Sequence, residues 1–179
     1  MISREEMAQA RQQAFELIRA SGFPVLGWER ENIEVADFGL GRLQGEGAQI
    51  LGLVATDRIA AKLIVLFPHQ TLPEHRHPPV GADPGKEETV RAFWGQLFIY
   101  VEGPDTVSRG RIPSGQENVY SSRHEVPLAP GEQYYFEPGR KHWFQAGAEG
   151  AVLLSFSSVA RDGLDEFSDP RITRATKVS

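Results

Sequence analysis

Beyond residue 22 the sequence breaks into short β-type runs separated by glycine, proline and aspartate. These runs cover residues 33–38, 48–55, 60–67, 71–77, 88–94, 96–102, 124–128, 134–137, 142–146 and 151–158. Strands this numerous and this closely spaced predict an all-β sandwich or barrel. With 179 residues, 40% of them hydrophobic, the chain has the size and the apolar content for one domain with a sizeable core.

One amphipathic helix is predicted ahead of the strands, over about residues 4–20. Ser3 and Glu6 have the spacing of a capping box, and glycine at residue 22 is a suitable stop. Between them, apolar residues recur at helical spacing at Met7, Ala10, Ala14, Leu17 and Ile18. We therefore expect a helix in residues 1–22 packed on a barrel spanning 23–160, with a C-terminal segment, 161–179, that partly covers the barrel mouth.

The composition argues against several classes of partner. The formal net charge of −5 is unfavourable for nucleic acid, which requires a basic surface. No apolar run approaches the ~20 residues of a membrane-spanning helix, and the charged start of the chain lacks the order of a secretory signal. The chain has no cysteine, which excludes disulfides and thiolate metal sites and is compatible with a reducing compartment.

Four residues have the types and the spacing of a metal site. His75 and His77 are two residues apart in a predicted strand, so both imidazoles would point to the same face. Glu88 could return on a neighbouring strand and His142 on a later one. Three imidazoles and one carboxylate suit a divalent transition metal such as Mn, Fe, Co, Ni or Zn. On a six-coordinate ion they would leave two positions open, which indicates chemistry rather than a structural site.

The same four residues belong to a longer pattern. Gly95 follows the glutamate, and Gly131 and Gly139 precede the last histidine. This arrangement resembles the two motifs of the cupin superfamily, whose fold is a double-stranded β-helix, or jelly-roll barrel. The gap between the second histidine and the glutamate is longer than in the usual motif, so we interpret residues 83–86 as an inserted loop. The alternative is a metal-free barrel whose histidines pack against aromatic rings.

Longer segments of the sequence indicate one family within this superfamily. Residues 62–77, 85–89, 97–103, 141–147 and 169–171 look like segments of the D-lyxose isomerase family, within a match over roughly 33–172. The resemblance implies a cytoplasmic isomerase that interconverts D-lyxose and D-xylulose, and in many members also D-mannose and D-fructose. It implies manganese as the preferred metal, with Zn, Co, Fe or Ni as alternatives. It also implies a monosaccharide as the small-molecule substrate, and a homodimer.

Two residues are predicted to transfer protons. Aldose–ketose isomerisation moves a proton between C1 and C2, commonly through a cis-enediolate whose charge a divalent metal stabilises. The resemblance places an active-site lysine at Lys62 and an acidic residue at Asp169, so we predict both as catalytic. Lys62 also lies in an otherwise apolar strand, and its alternative role is a strand-edge lysine that extends to solvent. The alternative for Asp169 is an exposed polar turn.

Three further residues are predicted to bind substrate. Lys86 lies two positions before the glutamate ligand, so an extended segment would place it on the metal-facing side; otherwise it is a solvated loop lysine. Arg171 could hold a sugar hydroxyl or orient Asp169. Trp94 could pack against sugar C–H groups, although such residues more often belong to the core. Ser155 departs from the family, because the resemblance leads us to expect a glutamate there.

Two other functions remain open on sequence alone. A cupin dioxygenase would bind Fe(II) with the same four ligands and would need neither Lys62 nor Asp169. A non-catalytic sugar-binding cupin is compatible with Ser155 in place of the expected glutamate. The isomerase comes first among the three because Lys62 and Asp169 offer groups for proton transfer.

Overall fold

The computed structural model describes residues 1–179 and contains one α-helix and nine strands. Helix α1 spans Arg4–Ala20. The strands are β1 (Glu34–Ala36), β2 (Ala48–Ala55), β3 (Ile59–Leu66), β4 (Thr71–Arg76), β5 (Glu88–Val101), β6 (His124–Leu128), β7 (Gln133–Phe136), β8 (His142–Ser158) and β9 (Glu166–Phe167). Short 3₁₀ helices, Gly27–Asn32 and Asp162–Leu164, precede β1 and β9. The predicted all-β class with one N-terminal helix is confirmed.

Helix α1 has the bounds and the cap that its sequence predicts. The Glu6 amide donates to Ser3 Oγ at 3.1 Å, and the Ser3 amide donates to Glu6 Oε2 at 2.7 Å. This reciprocal pair satisfies two amides that have no partner inside the helix. Ala10, Ala14 and Ile18 are buried at helical spacing, so one face of α1 packs on the barrel.

Strands β5 and β8 are longer than the sequence predicts. Each was expected as two strands, but they pair with each other from Glu88 opposite Ser157 to Val101 opposite His142. Gly95 adopts a left-handed conformation, with φ of 74°, beside a shift of register. Glycine accepts this conformation at little steric cost, so the strand bends at a bulge and continues instead of ending.

The two long strands close the sheet on itself. The strand order is β1-β2-β3-β8-β4-β9, and β5 pairs with β8 as well as with β6 and β7. The first part of β8 pairs with β4 and the second part with β3, while β5 runs along both parts. The sheet therefore folds into a barrel whose two halves share β5 and β8.

Alternating side chains on β3 separate two apolar cores. Ile64 and Leu66 belong to the cluster inside the barrel. Leu63 and Val65 belong to the cluster between the barrel and α1. Lys62 has the parity of Ile64, so the period of two directs its side chain into the barrel. An otherwise apolar strand thus delivers one ammonium group to the interior.

The C-terminal segment crosses one end of the barrel. In β9, Phe167 pairs with His75 of β4, and its ring lies 5.4 Å from the ring of Phe38. Farther along, the Thr173 amide donates to the Phe38 carbonyl, and Val178 forms a parallel bridge with Ile2. These contacts hold the segment beside the histidines. Neither α1 nor the 3₁₀ helices have the length and apolar character needed to cross a membrane.

We predict that Gly95→Ala destabilises the protein by about 2 kcal/mol or more. A Cβ at this position would overlap the Gly150 carbonyl oxygen, and alanine in a left-handed conformation is itself strained. The melting temperature should fall by about 4–8 °C in a calorimetric scan. Gly27→Ala is the matched control, because its Cβ would meet no atom within 4 Å. Equal effects of the two substitutions would contradict this account.

Candidate metal centre

Three histidines meet inside the barrel as a result of strand pairing. His75 of β4 lies directly opposite His142 of β8, and their ring centroids are 4.4 Å apart. His77 follows two residues later, and its ring is 5.1 Å from each of the others. One ring nitrogen from each residue lies within 4.8 Å of the other two. The three histidines predicted as ligands are therefore buried together.

Each imidazole is oriented by a hydrogen bond at Nδ1. His75 donates to the Pro73 carbonyl at 2.8 Å, and His142 donates to the Arg140 carbonyl at 2.9 Å. His77 donates to Asp165 Oδ1 at 2.9 Å. Protons on Nδ1 leave the Nε2 lone pairs of His75 and His142 free to bind a metal, whereas Nε2 of His77 lies against Glu88 Oε2. This arrangement is the usual support of metal-binding histidines in proteins.

The unpaired polar atoms agree with a metal site. His142 Nε2 is buried and has no hydrogen-bond partner. Buried polar nitrogens almost always have a hydrogen-bond partner. An unpartnered nitrogen beside two other imidazoles therefore indicates that a metal ion binds there. Glu88 completes the set, because its Oε2 lies 3.0 Å from His77 Nε2. Three nitrogens and one carboxylate fit a divalent transition ion.

Electrostatics keeps His75, His142 and Glu88 in the forms that bind a metal, whereas it favours the protonated form of His77. Burial, reinforced by the neighbouring histidines, lowers the pKa of His75 and of His142 to about 3, so both rings are neutral. Burial acts to raise the pKa of Glu88, but Lys86 and His77 bring it well below its ordinary value. Burial acts to lower the pKa of His77, but its bonds to Asp165 and Glu88 raise it instead.

A cavity opens beside these ligands. Counted with its open mouth, it has about 450 Å³ of space between atoms. One part of its wall is apolar and consists of Phe38, Ile50, Ile64, Leu72, Phe144 and Phe167. The other part carries His75, Ser155 and six charged side chains, namely Lys62, Lys86, Glu88, Asp162, Asp165 and Arg174. Such a mixed wall suits a small polar molecule with a carbon skeleton.

Both lysines predicted from the sequence reach this cavity. Lys62 forms an ion pair with Asp162 Oδ2. The side chain of Lys86 is 8% exposed, and its Nζ lies 3.5 Å from Asp162 Oδ1 and 3.7 Å from Glu88 Oε2. Burial acts to lower the pKa of Lys86, but the carboxylates of Glu88, Asp165 and Asp162 raise it, so the ammonium form is held.

The structure places Asp169 and Arg171 outside the cavity. Asp169 is buried and accepts hydrogen bonds from Arg171 Nε at 2.9 Å, Arg171 Nη2 at 2.7 Å and Gln116 Nε2 at 2.8 Å. The Arg171 side chain is 61% exposed. Neither residue lines the cavity or contacts the histidines, so their position favours a role in fixing the C-terminal segment over the predicted roles in catalysis and binding.

Trp94, predicted to bind substrate, lies outside the cavity, whereas Ser155 lies in the cavity wall. Trp94 packs against the apolar cluster between the barrel and α1, away from the cavity wall. Ser155 lines the cavity, lies opposite Lys62 in the pairing of β3 with β8, and donates a hydrogen bond to Glu88 Oε1. Ser155 thus orients the predicted carboxylate ligand.

Sequence reasoning missed three charged residues of the cavity, Asp162, Asp165 and Arg174. Arg174 forms an ion pair with Glu34 and lies 4.0 Å from Asp162. Asp162 begins the 3₁₀ helix that follows β8, and Asp165 is the residue directly after it. The available signal was a pair of carboxylates in a tight turn directly after the last long strand, but nothing local shows that this turn faces the histidines.

We predict that Asp165→Asn weakens binding of Mn²⁺ by about 10- to 100-fold, the usual effect of losing an orienting partner of a metal-binding histidine. A competition titration with a fluorescent chelator measures this affinity. Glu166→Gln is the control, because Glu166 accepts a hydrogen bond from Arg76 instead of from a ligand. An unchanged affinity in Asp165→Asn would show that His77 needs no such support.

We predict that Asp169→Asn destabilises the protein by about 1–3 kcal/mol near pH 7, because it disrupts buried hydrogen bonds. The bonds from Arg171, aided by Gln116, lower the pKa of Asp169. A lowered pKa stabilises the fold above the unfolded value of about 3.9, and this stabilisation is lost as pH falls further. Urea unfolding should therefore show a difference between the two proteins that shrinks below about pH 4. A pH-independent difference would contradict the assignment.

Solved structures of other proteins share the fold of this chain. No protein-family model matches the chain. Solved structures with the same fold include the L-ribose isomerase of Acinetobacter sp. DL28 in complex with L-ribose, at a TM-score of 0.79 and 15% identity over 99% of this chain and 98% of that one. The ligand-free L-ribose isomerase of Cellulomonas parahominis gives 0.77 and 17% over the same shares. This fold agrees with the predicted cupin barrel.

Curated relatives are much more similar in sequence. The D-lyxose ketol-isomerase of Cohnella laeviribosi is 51% identical over 170 residues, which are 94% of this chain and 93% of the relative. The D-lyxose/D-mannose isomerase of Thermosediminibacter oceani is 48% identical over 179 residues, with 99% of each chain covered. The D-lyxose ketol-isomerase of a Thermofilum species is 43% identical over the same length and shares. The chain belongs to the D-lyxose isomerase family.

Proposed function

We propose that the protein is a metal-dependent aldose–ketose isomerase that interconverts D-lyxose and D-xylulose, and also D-mannose and D-fructose. The observation that supports this most directly is the meeting of two kinds of group in one cavity. Oriented imidazoles with a carboxylate lie on one side, and ammonium and carboxylate groups lie on the other. The curated relatives carry the names of these activities.

The metal would be held by His75, His77, Glu88 and His142. We propose Mn²⁺, the metal that the family resemblance implies, and the carboxylate of Glu88 is a ligand that suits it. When bound, a divalent ion acts as a Lewis acid toward the two adjacent sugar oxygens and stabilises negative charge on them. Ser155 and Asp165 keep Glu88 and His77 in place for this purpose.

The remaining cavity residues would bind and shield the sugar. Lys86 presents its ammonium group beside Glu88, where it can donate to the sugar oxygens. Lys62 reaches the same cavity from β3 and is paired with Asp162, so we propose that it positions this carboxylate. Phe144 and Phe167 form an apolar wall that excludes water from the reacting carbons.

We also propose that the protein forms a homodimer. Val54, Phe156 and Tyr135 are exposed large side chains in one row across the outside of the barrel, and Ile59 lies nearby. Exposed large side chains in one row support an interface with a second copy.

We predict that the Mn²⁺-loaded protein forms D-xylulose from D-lyxose. A coupled assay for the ketose measures this reaction. Glu88→Gln should lower kcat/KM at least about 100-fold, because it removes the negative ligand of the site. Glu87→Gln is the control, since Glu87 is exposed and accepts from Tyr135. Failure to form a ketose from lyxose or mannose would refute the proposal, and oxygen uptake would favour a dioxygenase.

A further inference from the structure

The cavity contains three carboxylates, and two of them are committed to the metal centre. Glu88 Oε2 lies 3.0 Å from His77 Nε2, and Asp165 Oδ1 accepts a hydrogen bond from the other nitrogen of the same ring. Asp162 contacts none of the histidines. It is therefore the one carboxylate of the cavity wall that does not contact the proposed metal centre.

Asp162 is held toward the cavity by cations on several sides. It begins the 3₁₀ helix after β8, its Oδ2 pairs with Lys62, and its Oδ1 lies 3.5 Å from Lys86 Nζ. Arg174 approaches from the C-terminal segment at 4.0 Å. The Asp162 side chain keeps 25% of its surface exposed, so a ligand in the cavity can reach it.

Lys86 lies between the Asp162 carboxylate and the proposed metal centre. Its ammonium group lies between Asp162 Oδ1 and Glu88 Oε2, at 3.5 and 3.7 Å. Sugar oxygens placed beside Glu88 would therefore lie near Lys86, with only its ammonium group between Glu88 and the Asp162 carboxylate. Ser155 is the other polar group on this side, but its hydroxyl is bonded to Glu88 and is a poor base.

We infer that Asp162 is the catalytic base that carries the proton between C2 and C1 of the sugar, with Lys62 as its positioning residue. This assignment rests on the proposed isomerase function, and it replaces Asp169 in the role expected from the sequence.

The reaction balances without any further reactant. The Asp162 carboxylate takes the proton from C2 of the open-chain aldose, the C–H electrons form the C1=C2 bond, and the carbonyl pair moves to O1. The O2 hydroxyl proton then passes to the adjacent O1, while the Lys86 ammonium donates hydrogen bonds to both oxygens. Finally the O2 pair forms the C2=O bond, and C1 takes the proton back from the Asp162 carboxylic acid. One carboxylate serves both carbons because they are neighbours on one face of the cis-enediolate.

The test measures proton abstraction directly. D-lyxose and the Mn²⁺-loaded protein are incubated in deuterium oxide, and exchange at C2 of the lyxose and deuterium at C1 of the xylulose are followed by NMR. We expect Asp162→Asn to lower both rates at least about 100-fold, the usual contribution of a general base. Its affinity for Mn²⁺, from chelator competition, and its affinity for D-lyxose, from calorimetry, should stay within about threefold of the unsubstituted protein.

Two variants make the result decisive. Asp105→Asn removes an ion-paired aspartate outside the cavity, at 3.1 Å from Arg123, and should leave both exchange rates unchanged. Asp162→Glu keeps a carboxylate but moves it by one methylene, so it should retain measurable exchange, more than the asparagine variant. If the asparagine variant fails to fold, the glutamate variant decides, because a base at this position predicts exchange that is reduced but present.

The outcomes separate this assignment from the proposed function. If the unsubstituted protein forms ketose and Asp162→Asn keeps more than about a tenth of its exchange rate, Asp162 is not the base and the isomerase proposal stands. Asp162→Glu with an unchanged rate would also overturn the assignment, since the position of the carboxylate would then be immaterial. If the unsubstituted protein forms no ketose and shows no exchange, the isomerase proposal itself fails.

Discussion

The pairing of β5 with β8 along their whole length is the interaction on which the rest of the structure depends. These strands join the two halves of the barrel and place Glu88 and His142 at opposite ends of one continuous ladder. Because β8 also pairs with β4, the register that seats the apolar core sets His75 against His142. A slip of one residue would turn every side chain of the strand to the other face, so core packing and ligand geometry are secured together.

Charge balance is what allows so polar a site inside a β-barrel. Two lysines, an arginine and three carboxylates line the cavity, and each has a partner of opposite charge or a hydrogen-bonded imidazole. Burying any one of them alone would be costly, whereas the connected set supports its members. The same connections bring the ammonium of Lys86 between the carboxylates of Glu88 and Asp162. Stability and reactivity in this cavity therefore have a common source.

The elements that local patterns determine were predictable. The capping box and the helical spacing predicted α1, and alternation predicted β2 at its observed bounds. The group of three histidines was predictable because few other residue types bind a transition metal. Long-range effects were not predictable in this way. Gly95 looks like a break in sequence, yet its partner strand carries β5 through it as a bulge. The contact of the lysines with Asp162, and not with Asp169, has the same cause, because the path of the chain after β8 decides which aspartate meets them.

That path has a consequence for the order in which the site is assembled. The four proposed metal ligands all lie between residues 75 and 142, whereas Asp162, Asp165 and Arg174 belong to the segment that the ribosome delivers afterwards. A nascent chain released as far as β8 would carry every strand of the barrel except β9, and with it the metal ligands, but not the cations and carboxylates that complete the cavity. Strands β1 to β8 are therefore synthesised before the residues that complete the cavity.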